Sequence, residues 1–190
     1  MQDPFFFGYG SLVNRATHGY GPAYRARIRG WKRAWRHSAA RGVPFLTAMP
    51  CPDGEIDGLV AMVPGGDWQA LDQREAGYKR QCAGPGLRPE LAGKGVTAAQ
   101  IYAVPADDWA APDRDAPIWL SYVDVVLQGY LREFGEAGVR EFMVTTEGWE
   151  IPIIDDRARP GYPRHQPVAP DERDWFDSLL AGIGATVLCG

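Results

Sequence analysis

The sequence has few cysteines, and none of the spacings that cysteine chemistry requires. Its three cysteines are scattered as Cys51, Cys82 and Cys189, without a C-x-x-C pair. This pattern indicates neither a zinc knuckle nor a disulfide framework. It is typical of reduced thiols in a cytoplasm. We therefore expect a cytoplasmic protein.

Basic leaders and long apolar runs are also missing. The N-terminal stretch MQDPFFFGYG carries an acidic residue and no basic one, and its apolar run is too short for a signal peptide. No segment approaches the ~20 apolar residues of a membrane span, so we expect no membrane partner. The 190 residues are 45% apolar and 23% charged, a balance typical of an ordinary globular domain.

The common signatures of covalent and nucleotide chemistry are absent as well. The sequence contains no G-x-S-x-G nucleophile elbow and no recognisable catalytic-cysteine motif. The glycine-rich stretch after the first apolar run lacks the lysine of a nucleotide-binding loop. Covalent nucleophilic catalysis therefore has no candidate residue.

The residue pattern predicts an α+β fold. Apolar and alternating stretches predict strands at 5–8, 23–38, 45–51, 56–64, 78–84 and 96–105, with a bulge at Gly30 and a turn at 52–55 that pairs its two flanking strands. These strands come in neighbouring pairs instead of β-α-β alternation. This favours a mixed or antiparallel sheet curled into a barrel, with flanking helices.

Three segments have helical patterns. The first has Asp67 as its N-cap and Gly77 near its end, and the second has Asp115 as its cap and Gly135 near its end. The third is the amphipathic C-terminal stretch PDERDWFDSLLAGIGA. We expect a single domain over residues 1–190, in which 136–190 is a C-terminal extension packed on the rest. The oligomeric state stays open.

One carboxylate lies on the apolar stripe of the first helix. Trp68, Leu71 and Glu75 are spaced i, i+3 and i+7, which predicts that the Glu75 carboxylate faces the core. Burial raises the pKa of a carboxyl group, and a glutamate that titrates near neutrality is a good general acid and base. The alternative is an exposed Glu75 that pairs with Lys79 or Arg80.

A glycine-rich turn follows the first predicted strand. Gly8 and Gly10 allow close backbone approach, and consecutive amides exposed there form a nest for a carboxylate or an oxyanion, to which Ser11 adds a hydroxyl. The alternative is an ordinary strand-to-helix turn without a ligand.

The N-terminal part of the chain is strongly basic. Residues 5–52 include eight lysines and arginines and no acidic residue, and Arg25, Arg27 and Arg29 alternate on one strand face. This face is either the solvated side of a strand or a surface for anions such as nucleic acid. The net charge of −4 argues against nucleic acid, so we expect no such partner.

The C-terminal third contains one cluster of potential metal ligands. Asp155, Asp156 and His165 lie close in sequence, but without a recognised metal-ligand spacing. We expect no metal and, instead, a hydrogen-bonded loop bridged by Arg157.

Three segments together resemble one family. FGYGSLVN at the first strand, SAARGVP at 38–44 and LDQREAGY at 71–78 are similar to the Y-G-S-L, S-x-x-R-G-x-P and L-x-x-R-E-x-x-x-Y elements of the γ-glutamylcyclotransferases, particularly the ChaC-like branch. Their order and approximate spacing agree over roughly residues 5–130, although Tyr78 comes one residue earlier than in the family pattern. The segment 139–166 does not align, and its role and the choice of substrate stay open.

The resemblance implies an α+β fold around a β-barrel and a cofactor-free enzyme without a covalent intermediate. Such an enzyme cyclises a small γ-glutamyl compound (glutathione, a γ-glutamyl amino acid or a γ-glutamylamine) to 5-oxoproline and releases the amine part. The resemblance also implies site roles: Glu75 as the catalytic carboxylate, and a substrate-binding set of Tyr9, Gly10, Ser11, Leu12, Arg41 and Tyr78. The alternatives are a non-catalytic module that binds a small carboxylate through the same loop and a nucleic-acid-binding module that uses the basic strand.

Overall fold

The computed structural model describes residues 4–39, 41–89, 96, 98–113 and 115–190. The strands in this part of the chain are β1 Phe5–Gly8, β2 Ala23–Ser38, β3 Arg41–Met62, β4 Lys79–Cys82, β5 Leu87–Pro89, β6 Gln100–Ala103, β7 Ile118–Trp119, β8 Thr146–Glu147, β9 Ile153–Asp155 and β10 Val187–Cys189. The α-helices are α1 Trp68–Arg74, α2 Leu120–Thr145 and α3 Pro170–Gly182.

The main sheet is mixed, which confirms the predicted α+β class. Its strand order is β4-β6-β1-β3-β2-β5, with β8 beside β2. β1 is parallel to β6 and antiparallel to β3, and the sheet curls into a half-barrel against which α2 packs. Because β1 lies inside the sheet with both faces covered, its run of phenylalanines is continuous instead of alternating.

The long β2–β3 ladder contains one correction to the sequence prediction. Residues 45–51 and 56–64 do not pair with each other. Both belong to β3 up to Met62, and both pair with β2. Arg29 pairs with Glu55 and Trp31 with Pro50, so the predicted turn is a bulge in β3 opposite the predicted bulge at Gly30, which has φ 89°. The apolar residues that alternate along β2 bury both halves of β3, and this overrides the local turn signal at 52–55.

The beginning of α2 is a second correction. The helix begins at Leu120 instead of near Asp115, because Ile118 and Trp119 form β7 and pair with β9. A carboxylate from a distant loop, Asp156, accepts the free backbone N–H of Ser121 at 2.7 Å and so supplies the missing cap. The helix is interrupted at Gly135, with φ 68°, and resumes to Thr145.

The basic face of β2 has acidic partners. Arg27 Nε lies 2.6 Å from Asp57 Oδ1, and Arg29 Nε lies 2.9 Å from Glu55 Oε1, both across the ladder on β3. These pairs neutralise much of the positive charge of this face, as on the solvated side of a strand.

Among the described residues, no helix has both the length and the apolar character that crossing a bilayer requires.

Candidate active site

A cavity of about 470 Å³ opens where the end of β1, the middle of β3, the end of α1 and the start of α2 meet. A narrow cavity of about 20 Å³ adjoins it and reaches the β1 loop. Ser11, Glu75, Tyr78 and Tyr122 line both cavities. The larger volume suits a small metabolite.

The loop after β1 is anchored by two buried side chains. Tyr9 donates its hydroxyl to the carbonyl oxygen of Tyr102 at 2.6 Å, and Leu12 packs in an apolar cluster with Leu71 of α1. The Tyr130 hydroxyl lies 2.9 Å from the Tyr9 carbonyl oxygen. Tyr9 and Leu12 therefore reach only the narrow cavity, whereas Ser11 also reaches the large one.

A buried arginine, Arg33, holds the Tyr130 hydroxyl in place. Arg33 is fully buried, donates to the Tyr130 hydroxyl at 2.6 Å, and has its guanidinium 4.7 Å from the centre of the Phe142 ring. This buried network ties the end of β1 to α2, so the position of the loop is determined by the core.

Gly10 has no room for a side chain. A Cβ at this position would lie 2.8 Å from the Tyr122 hydroxyl oxygen and 3.3 Å from Leu46 Cδ2. Close approach of the backbone to Tyr122 is therefore the reason for glycine here.

We expect Gly10→Ala to impair the site more than the fold. The added methyl would lie closer to the Tyr122 hydroxyl than real Cβ atoms come, so the hydroxyl or the loop must shift, and about 1 Å of misplacement costs about 100-fold in rate in other enzymes. The measurements are the steady-state kinetic constants, which report the site, and the thermal unfolding midpoint, which reports the fold. Gly182→Ala is the matched control, because nothing lies within 4 Å of a Cβ there. Equal kinetics for both variants would contradict the expectation.

Glu75 lies immediately after α1 and points into the cavities. Its side chain is 15% exposed, and its Oε1 lies 3.0 Å from Arg74 Nε. Arg80 instead pairs with Asp72, at 3.0 Å. The arrangement is the inward-facing one, with the Arg74 guanidinium beside the carboxyl group.

Arg74 is the residue that the sequence interpretation missed. Its side chain is 7% exposed, and it donates to the Thr17 carbonyl oxygen at 2.8 Å and to Thr17 Oγ1 at 3.0 Å. One of its nitrogens also lies 3.5 Å from Ser11 Oγ. Arg74 thus joins the β1 loop to the Glu75 carboxylate. The sequence signal that could have identified Arg74 was the R-E pair of the family pattern, here Arg74-Glu75.

Tyrosine hydroxyls surround the Glu75 charge. The pKa of Tyr122 is raised well above its usual value, first by burial and then by the charges of Tyr162 and Glu75. Burial also raises the pKa of Tyr9, to which the Glu75 charge contributes. Both hydroxyls stay protonated at neutral pH, and the Tyr9 hydroxyl donates to the Tyr102 carbonyl oxygen. The backbone amide of Ser11 faces the Tyr122 hydroxyl.

The two remaining residues of the predicted site are Tyr78 and Arg41. Tyr78 donates to the Leu46 carbonyl oxygen at 3.0 Å, and its ring packs edge-on against Phe45 at 5.2 Å, so it forms part of the cavity wall. Arg41 begins β3, and its side chain lies outside the described part of the structure.

The C-terminal loop completes the cavity wall. Asp156 Oδ2 accepts the Gly161 N–H at 2.7 Å and the Ser121 hydroxyl at 2.6 Å. The Tyr162 ring packs edge-on against Tyr122, with centroids 4.9 Å apart. Asp156 therefore holds the loop over the cavity, which gives the segment 139–166 a structural role.

The candidate metal ligands have other partners. Arg157 bridges Asp124 and Asp177, with Nε 2.7 Å from Asp124 Oδ2, and its backbone N–H lies 3.1 Å from Asp155 Oδ1. The loop is therefore hydrogen-bonded through the Arg157 backbone, whereas the Arg157 side chain binds α2 and α3 and does not bridge the loop itself. Within the described residues, no group of three or more His, Cys, Asp or Glu side chains is arranged to hold a metal ion.

Comparison with known proteins gives one family match. The model of the family described as ChaC-like protein matches residues 5–112, a span that contains the β1 loop, Arg74 and Glu75. No curated protein matches the chain significantly.

Solved structures match over most of the chain. A γ-glutamyl cyclotransferase is 14% identical with a TM-score of 0.57, covering 93% of this chain and 99% of its own. An uncharacterised human protein is 15% identical with a TM-score of 0.59 and the same coverage. YkqA from Bacillus subtilis is 17% identical with a TM-score of 0.55, covering 78% of this chain and 57% of its own. At these identities the likeness shows the fold, which is the γ-glutamylcyclotransferase-like fold expected from the sequence.

Proposed function

The chain belongs to the ChaC-like protein family, and from this premise we propose that it is a γ-glutamylcyclotransferase. It cyclises the γ-glutamyl part of a small compound to 5-oxoproline and releases the amine part. The observation that carries the proposal is the convergence of the Gly10–Ser11 backbone, Arg74 and Glu75 on two adjoining cavities, both of which Ser11 and Glu75 line.

The reaction needs little from a protein beyond orientation and proton transfer. The nucleophile is the α-amine of the substrate, which attacks its own γ-carbonyl and closes a five-membered ring. Well-oriented intramolecular attack contributes about 7–11 kcal/mol. A folded γ-glutamyl arm therefore reacts without a serine, cysteine or metal nucleophile.

Glu75 is the proton carrier in this proposal. As a carboxylate it accepts a proton from the α-ammonium group, which frees the nitrogen lone pair to form the new C–N bond. The protonated Glu75 then gives this proton to the departing nitrogen as the original C–N bond breaks. The ring nitrogen loses its second proton to solvent, and the released amine takes one up from solvent to leave as its ammonium form. Because Glu75 ends as it began, one carboxyl group serves as base and then as acid.

The tetrahedral intermediate carries a negative oxygen, and the β1 loop and the start of α2 supply its donors. The Ser11 amide and the Tyr122 hydroxyl lie together beside Glu75. Donors that are already in position avoid the cost of reorganising solvent, and removing one costs about 10²–10³ in rate in other enzymes.

The experiment is a substrate panel with chromatographic detection of 5-oxoproline. We expect turnover of at least one member among glutathione, γ-glutamyl amino acids and γ-glutamylamines. The N-acetylated form of the best substrate is expected to be inert, since its nitrogen cannot attack. Binding of these compounds without turnover would favour the non-catalytic carboxylate-binding module instead.

A further inference from the structure

The charges that line the large cavity do not balance. Its charged side chains among the described residues are Arg74, Glu75 and Arg164. Arg74 and Glu75 form an ion pair. Arg164 is partly buried, and no carboxylate in the described ranges pairs with it. One positive charge therefore remains for an anionic group of the ligand.

The position of Arg164 separates it from the reacting centre. The narrow cavity is lined by the β1 loop, Glu75 and Tyr78, and Arg164 does not reach it. Arg164 and its neighbour Tyr162 line only the large cavity. If the γ-carbonyl lies between Ser11 and Glu75, Arg164 faces the part of the substrate that leaves as the amine.

The loop that carries Arg164 is held at several points. Gly161 is fixed by Asp156, and a Cβ at Gly161 would lie 2.9 Å from Trp119 Cε2. The Arg164 carbonyl oxygen accepts from Gln166 Nε2 at 3.3 Å. A guanidinium on a fixed backbone loses less conformational freedom when it binds a ligand.

We propose that Arg164 binds a carboxylate of the departing amine. The substrate is then a γ-glutamyl amino acid or peptide, and a γ-glutamylamine without this carboxylate is a poor one. The inference rests on the proposed cyclotransferase function. The planar guanidinium suits it, because it holds a carboxylate through two parallel hydrogen bonds.

The test compares γ-glutamylphenylalanine with its C-terminal amide, which differs only in the carboxylate. We expect wild-type kcat/KM to favour the acid by about 10- to 100-fold, as for one charged hydrogen-bonded pair. Arg164→Gln is expected to abolish this preference by slowing the acid alone, and Arg164→Lys to retain part of it. Arg159→Gln, on the same segment but outside the cavity, is the control and keeps the wild-type preference.

The possible outcomes distinguish failure of this inference from failure of the proposed cyclotransferase function. Equal wild-type rates for acid and amide overturn the role of Arg164 and leave cyclotransfer standing. A parallel loss of both substrates in Arg164→Gln also overturns it, because Arg164 would then contact the γ-glutamyl part. If none of the γ-glutamyl compounds, including the γ-glutamylamines, yields 5-oxoproline, the proposed function itself is overturned.

Discussion

Glu75→Gln is expected to lower kcat by about 10²- to 10⁴-fold, the usual range for loss of a general acid–base group. Glutamine keeps the shape of the side chain but cannot accept the α-ammonium proton at neutral pH. Initial rates of 5-oxoproline release measure the loss, and the thermal unfolding midpoint reports the fold. The effect on stability is expected to be small, because the side chain borders open cavities.

The matched control for this variant is Glu136→Gln on α2. Glu136 is 71% exposed and makes only a surface contact with Arg140, so its loss is expected to leave the rate unchanged. Full turnover by Glu75→Gln would refute the proton-carrier role and leave Glu75 as a structural partner of Arg74.

Arg74→Lys is expected to lower kcat/KM by about 10- to 100-fold, with most of the loss in kcat. The guanidinium contacts Thr17, Ser11 and Glu75 at once, and a lysine ammonium cannot span these partners. Each hydrogen bond to a charged group contributes about 1.5–3 kcal/mol, and 1.36 kcal/mol corresponds to about tenfold. Separate determination of kcat and KM checks the prediction.

Arg80→Lys is the control for this second variant. Arg80 lies on β4 and pairs with Asp72 of α1. It lies outside both cavities. Since Arg74 is a positioning residue that acts through Glu75 and the loop, a change in KM alone would contradict its role. Unchanged kinetics would show that the loop keeps its place without the guanidinium.

Local patterns were sufficient for the elements that frame the site. The phenylalanine run of β1, the alternation along β2 and the Asp67 cap of α1 each depend on neighbouring residues, and each was predicted correctly. The bulge at 52–55 was missed because pairing with β2, a non-local interaction, overrides the turn signal.

The missed parts of the site depend on contacts between residues far apart in sequence. Helical periodicity predicts that adjacent residues face about 100° apart, so it did not place Arg74 and Glu75 together. The helix ends at Arg74, which frees Glu75 from that rule. Asp156 caps a helix that begins 36 residues earlier, at Leu120, and no local pattern reveals such a partner.

The central claim is that the cavity makes the substrate attack itself. Its most direct test is product analysis with γ-glutamylphenylalanine in water enriched in heavy oxygen. The account predicts 5-oxoproline and free phenylalanine in equal amounts, with no heavy oxygen in the 5-oxoproline. Glutamate that carries heavy oxygen as the acid product would mean hydrolysis by water and would contradict the account.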